Sequence, residues 1–352
     1  MQALASADIR RLETLFAAAK HACIVVHTHP DGDALGSGTA LLSYFRLCRG
    51  AEACLLLPDA APDSLDFLLP ETGVVDASAD PQQALDRIAA ADLLVCLDMN
   101  GFGRAEALAA PLNASKAPKV LIDHHLNPER ESFDLAFSET EISSASELLY
   151  QVLLALPGVG AAERLPLAVL TPLMAGMTTD TNNFGNSVWP STLQMASELL
   201  AAGVDRGALL DQLYHNYRES RLRAMGAFLH ERMTVTPDGV AYAVLDRAFL
   251  RRYDVQDGET EGFVNLPLGI ADVRLSLFLK EDDGHFRVSI RSKAGVSANR
   301  LAAEAFHGGG HTLAAGGKLY FPEDIPGPEA AGEYIATVTA RFMRSQGPSQ
   351  SE

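Results

Sequence analysis

Seven consecutive residues, His27-Thr28-His29-Pro30-Asp31-Gly32-Asp33, bring two imidazoles and two carboxylates into a single turn. Mixed nitrogen and oxygen donors of this kind suit a divalent ion such as Mn²⁺. Asp31 and Asp33 stand two apart, so in an extended turn their side chains diverge and can serve neighbouring ions. Pro30 and Gly32 would fix the irregular backbone between them. The competing reading is an Asx-type turn capping a helix that starts near Asp33. Three further clusters weigh against reading the motif alone: Asp98 after an uncharged stretch from Leu93, Asp123-His124-His125 after another, and Asp180 in a polar loop from Thr178 to Ser187. Any one of these is first a helix cap or a satisfied loop acid; four together point to a metal- and proton-handling centre.

The surrounding periodicity says what must position them. Apolar residues Ile9, Leu12, Leu15 and Phe16 fall at helical spacing, and apolar runs follow at Ala22 to His27, Ala53 to Leu57, Asp92 to Leu97 and Lys119 to Ile122. Segments of helical period, Ala34 to Cys48 and Pro81 to Ala90, separate the runs. This alternation predicts an α/β domain with a parallel sheet and helices on both faces. HTHPDGD, DMNG and DHH each follow a strand, at the edge where open α/β sheets form their ligand crevice. Helices are expected over Ser144 to Leu156, Leu165 to Met177 and Ser191 to Ala202, with the Asp180 loop able to close the site.

Strand patterns at Gly239 to Leu245, Val273 to Leu279 and His285 to Ile290 predict a smaller C-terminal α+β domain. The expected division is a catalytic domain over 1–213, a charged linker helix over 214–233, a second domain over 234–345 and a polar tail over 346–352. A length of 352 residues, 47% hydrophobic and 21% charged, fits two packed domains. A net charge of −17 argues against a broad footprint for long duplex nucleic acid, so any phosphate site must be local. The four cysteines have no C-x-x-C spacing and read as reduced core residues. With neither a leader pattern nor a long uncharged apolar run, a cytoplasmic enzyme without membrane contact is expected.

HTHPDGDALGS, the Asp of LDMN, DHH and TDTNNF resemble, in order, the metal motifs of the DHH phosphoesterase family. RSKAGVSANRLAAEAFHGGGHTLAAGG (Arg291 to Gly317) resembles the DHH-associated domain, so the likeness covers nearly the whole chain. Members with both domains act on very short RNA and on 3′-phosphoadenosine 5′-phosphate. The resemblance implies that His27, Asp31 and Asp98 hold one ion and Asp33, Asp98, His124 and Asp180 a second, with Asp98 bridging. Two ions, Mn²⁺ first with Mg²⁺ or Co²⁺ as alternatives, would activate a water and neutralise charge developing at phosphorus. The resemblance makes His125 a phosphate contact or proton donor; orienting His124 or Asp123 is its competing role. Asp123 reads as a partner that orients a ligating histidine.

Arg104, six residues beyond Asp98, either reaches a phosphate or pairs with Glu106, and the phosphate is preferred. Gly308, Gly309, Gly310 and His311, with Arg291, Ser292 and Lys293, read as a phosphate or nucleotide clamp, where the family holds its substrate. Asn182-Asn183-Phe184 departs from the glycine-containing pattern of many relatives, which leaves base and ribose preference open; His29 is not assigned as a ligand. The expected partners are short single-stranded RNA or small nucleotides, and a homodimer is compatible. Alternatives are a cyclic- or linear-dinucleotide phosphodiesterase, an exopolyphosphatase-like hydrolase, and a nucleotide sensor without turnover.

Overall fold

The computed structural model describes residues 4–256 and 258–345; the expected tail over 346–352 lies outside them. Two compact units emerge, the first ending at Asn216 and the second beginning at Tyr217.

The first unit contains α1 (Ser6–Ala18), β1 (His21–Val25), α2 (Gly32–Tyr44), β2 (Glu52–Leu57), β3 (Val74–Asp76), α3 (Pro81–Ala90), β4 (Leu93–Leu97), α4 (Ala109–Ala114), β5 (Lys119–Asp123) and β6 (Leu135–Ser138). Helices α5 (Ala145–Ala155), α6 (Leu167–Asp180), α7 (Pro190–Ala201) and α8 (Arg206–Tyr214) follow. The strands form one parallel sheet in the order β3-β2-β1-β4-β5-β6. Alternate residues serve opposite faces, as the pleat requires. Ile24, Leu55 and Val95 pack with α1, α2, α5 and α6. Cys23, Leu56 and Leu94 pack with α3, α4 and Phe102.

Strand order reverses between β1 and β4, so the HTHPDGD turn and Asp98 leave the sheet side by side at its switch point. The short edge strands β3 and β6 are additions to the four expected runs. Of the cysteines, Cys23, Cys54 and Cys96 are buried, but Cys48 is exposed, because it lies in the wide turn Phe45–Arg49 beyond α2.

In the second unit, α9 (Glu219–Ala227), β7 (Thr234–Val235), β8 (Val240–Leu245), α10 (Arg247–Arg252), β9 (Leu275–Asp282), β10 (His285–Ser292), α11 (Ala298–Ala305), β11 (Gly309–Gly310), β12 (Ala314–Tyr320) and α12 (Ala331–Ser345) build a mixed sheet ordered β11-β12-β10-β9-β8-β7. Leu301 of α11 and Ile335 of α12 pack with Leu277 and Val288 on one face. Phe228 and Phe249 pack with Leu245 and Phe278 on the other. The helical stretch read over Tyr214 to Met233 is divided, since α8 ends at Tyr214 and α9 begins at Glu219.

Candidate active site

Each cluster of the first unit is positioned by backbone that the sheet or a helix end dictates. His27 lies two residues beyond the end of β1, is 4% exposed, and has Nδ1 2.7 Å from the Thr28 carbonyl. A carbonyl only accepts, so Nδ1 carries a proton and Nε2 is the atom that faces the neighbouring carboxylates. That Nε2 lies 3.4 Å from Asp98 Oδ2 and 3.9 Å from Asp31 Oδ1. Asp31 is the N-cap of α2, accepting from the Asp33 and Ala34 amides at 3.0 and 3.1 Å. The cap and the metal readings are therefore compatible, and Gly32 is helical rather than part of an irregular loop.

Asp33 points into the protein, 1% exposed, and meets the N-terminus of α5. Ala145 N donates to its Oδ2 at 2.6 Å and Ser146 N to its Oδ1 at 2.9 Å. The positive end of the helix dipole thus faces the carboxylate. Ser144 caps α5 by accepting from Glu147 N at 3.0 Å. Buried Glu147 in turn accepts from Ser143 and Thr192 hydroxyls at 2.5 and 2.6 Å. These supporting residues went unread in the sequence, although Ser144 and Glu147 stand at capping-box spacing.

Glycine brings the next helix in. A Cβ on Gly32 would lie 2.4 Å from the Thr179 hydroxyl, one on Gly36 2.5 Å from the Pro172 carbonyl, and one on Gly176 2.1 Å from the Ser146 hydroxyl. Without side chains there, α2, α5 and α6 close together and carry Asp180 to the site. Asp180 is the last residue of α6, where the sequence suggested a loop. Its Oδ2 lies 3.5 Å from His124 Nε2.

Asp98 joins the groups. It has a left-handed backbone, φ 56°, that a non-glycine residue adopts only under constraint. Its Oδ2 faces His27, while its Oδ1 lies 3.3 Å from His124 Nε2 and 3.5 Å from His125 Nδ1. Oδ1 is nonetheless buried and accepts no hydrogen bond. Donor atoms of His27, Asp31 and Asp98 lie within 4.8 Å of one another, as do those of Asp33, His124 and Asp180.

Electrostatics fit a cation here. Burial, with Asp98 and Asp180 nearby, pushes the Asp33 carboxyl well above the usual range. Burial also works against charge on Asp98, but the His124 and His27 imidazoles outweigh it and hold Asp98 well below that range. Burial opposes charge on His27 too, yet Asp98 and Asp31 raise it. His124 is pushed up to about 10, because Asp180, Asp98 and Asp33 overcome its burial. Protons are held where a divalent ion would relieve the same carboxylate repulsion. The unsatisfied Asp98 oxygen and this donor set fit divalent metal.

Asp123 receives His125 at both oxygens, Nδ1 at 2.8 Å and the amide at 3.1 Å. Arg104 Nη1 lies 3.1 Å from His125 Nε2. The Arg104 carbonyl accepts from Thr28 N and Oγ1 at 2.8 and 3.1 Å, so the two loops hold each other. His29 turns instead to Asp59, 2.8 Å away.

In the second unit, the residues expected to form a clamp divide. Ser292 Oγ donates to the Val296 carbonyl at 2.6 Å, and Lys293 Nζ to the Ile270 carbonyl at 2.9 Å, so both hold backbone. Arg291 Nη1 donates to the Ile290 carbonyl at 2.9 Å. Gly308 and Gly310 are needed for packing, since a Cβ would lie 1.9 Å from the Gly316 carbonyl and 2.7 Å from the Ala314 carbonyl; Gly309 alone has room for one. His311 N donates to the Ala314 carbonyl at 2.7 Å.

A parallel sheet whose switch point gathers imidazoles and carboxylates in this way has the make-up of a divalent-metal site. Residues 21–177 match the DHH family N-terminal domain and residues 238–338 the DHHA1 domain. The chain belongs to the DHH family, whose phosphoesterases use divalent metals. It is similar to the probable bifunctional oligoribonuclease and PAP phosphatase NrnA of Streptococcus mutans, 30% identical over 84% of this chain and 89% of that protein. It is likewise similar to the bifunctional oligoribonuclease and PAP phosphatase NrnA of Bacillus subtilis, 28% identical with the same coverage. Among solved structures, an exopolyphosphatase-related protein from Bacteroides fragilis superposes with a TM-score of 0.89 at 32% identity, over 99% of this chain and 100% of that one. Among the described residues no helix is long and apolar enough to cross a membrane.

Proposed function

We propose that this chain is a two-metal hydrolase that degrades oligoribonucleotides a few residues long to nucleoside monophosphates and removes the 3′-phosphate from 3′-phosphoadenosine 5′-phosphate. The names of the NrnA relatives support the substrates. The observation that carries the two-metal reading is Asp98, with one oxygen towards His27 and the other, buried and unsatisfied, towards His124. His27, Asp31 and Asp98 would hold one ion, Asp33, Asp98, His124 and Asp180 the other, and Mn²⁺ is the proposed metal.

When bound, such a pair of ions lowers the pKa of water and neutralises charge developing on the phosphate oxygens. The residues around it do the rest. Arg104, anchored through its carbonyl to Thr28, offers its remaining N–H groups to a phosphate while orienting His125. In the second unit, Arg291, Gly309 and His311 would contact substrate phosphate or sugar, on a turn that Ser292 and Lys293 stabilise. The charge of −17 supports exclusion of long duplexes.

The test is Mn²⁺-dependent release of phosphate and mononucleotide from 3′-phosphoadenosine 5′-phosphate, a diribonucleotide, a long RNA, cyclic di-AMP and polyphosphate. Turnover of the first two is expected. Turnover confined to the last two would keep the hydrolase and overturn the substrate.

A further inference from the structure

Immediately beyond Asp180 the chain does something costly. Asn182, Asn183 and Phe184 are consecutive left-handed residues with φ of 47°, 56° and 65°. Asparagine tolerates this region, but an aromatic residue there is strained, and such strain persists only where surrounding contacts over-determine it. From inside, the buried Thr181 hydroxyl accepts from Phe184 N at 3.0 Å, and the Thr178 carbonyl accepts from Asn183 N at 2.8 Å. From outside, Arg206, the first residue of α8, donates Nη2–H to Asn183 Oδ1 at 2.5 Å. Its guanidinium also lies 5.4 Å from the Phe184 ring centroid. Asp180 is less enclosed by the protein than two of the other carboxylates, its side chain 30% exposed against 1% for Asp33 and 3% for Asp98.

We propose that Arg206 is a positioning residue for the metal centre: its clasp on Asn183 and Phe184 holds the left-handed turn that fixes Asp180 at the second ion. This rests on Asp180 being a ligand, as proposed above. In Arg206→Met the turn relaxes and Asp180 loses its fixed place, while the first ion keeps its ligands His27, Asp31 and Asp98. Glycine adopts left-handed backbone without cost, so Asn183→Gly in the Arg206→Met background should let the turn hold without its clasp.

The experiment is isothermal titration of the metal-stripped full chain with Mn²⁺, alongside thermal unfolding. Loss of a residue that orients a ligand commonly weakens metal binding by an order of magnitude or more, so Arg206→Met should weaken the second ion by about tenfold and spare the first. Added Asn183→Gly should recover part of that loss. Asn183→Ala removes the same hydrogen bond from the other side, should weaken the same ion, and serves if Arg206→Met does not fold. A lowered melting temperature with both affinities unchanged would make Arg206 purely structural and overturn the proposal. Asp180→Ala separates the layers: if it weakens the second ion and Arg206→Met does not, the clasp alone fails. Two unchanged affinities in Asp180→Ala would remove the ligand reading and the clasp together.

Discussion

Arg104 donates Nη1–H to Nε2 of His125 over 3.1 Å, so the imidazole carries its own proton on Nδ1, where Asp123 accepts it over 2.8 Å. A guanidinium is always a donor, which settles the tautomer. His125 is thus wired between a buried carboxylate and a guanidinium cation.

Asp123→Asn places an amide opposite Nδ1 and removes the charge that fixes this tautomer. With the proposed ligands left in place, kcat should fall by about a hundredfold, as for other residues that orient a site histidine. Metal stoichiometry measured by titration should stay the same. A variant with wild-type kcat would end the case for this relay.

Asp98→Asn keeps the shape and tolerates the left-handed backbone, but weakens the one group that faces both His27 and His124. Activity should fall by about a thousandfold or more, equivalent to ~4 kcal/mol of barrier. Circular dichroism should show the fold intact. Near-normal turnover in this variant is incompatible with a carboxylate shared between two ions.

Metal binding should release protons. His124, pushed up to about 10 in the metal-free protein, is protonated at neutral pH, and an imidazolium has no lone pair for a metal. The sign follows: a divalent ion displaces that proton, so apparent affinity rises with pH until His124 is already neutral near pH 10. Titration at pH 7 in buffers of different ionisation enthalpy should report at least about one proton released per protein. Release of none would remove His124 from the ligand set.

Gly32→Ala should destabilise the fold, because its Cβ would meet the Thr179 side chain at 2.4, 2.6 and 2.8 Å. Overpacking of this kind costs about 1–3 kcal/mol. Thr179→Ala deletes the two nearest atoms, so the pair should be less destabilised than the sum of the singles in chemical denaturation. Strict additivity would mean that α2 and α6 do not meet as described.

Much of the first unit was legible because of how parallel sheets are made. A strand buried on both faces must be a continuous apolar run, which marks β1, β2, β4 and β5. The first polar residues after each run emerge at the crevice, which marks His27 to Asp33, Asp98 and the Asp123-His124-His125 cluster. The short edge strands β3 and β6, and β12 with its AAGGKLY sequence, lack that signature. Each is too short or too rich in small residues to differ from loop by composition.

The sequence by itself determined which chemical groups are available and at which edge of the sheet they gather, since local periodicity dictates strands and strand ends. Only the tertiary structure decided how they are held. Asp33 faces the amide of Ala145, 112 residues away, and Arg206 grips Asn183. Gly32, Gly36 and Gly176 earn their places through Thr179, Pro172 and Ser146 on other helices. Asp180 belongs to a helix end rather than a loop because α6 packs on α2 through its final turn. Such pairings arise from close packing between segments remote in the chain, where complementary shape and unsatisfied polar groups select the partner. Spacing along one segment carries no record of the surface that segment will meet.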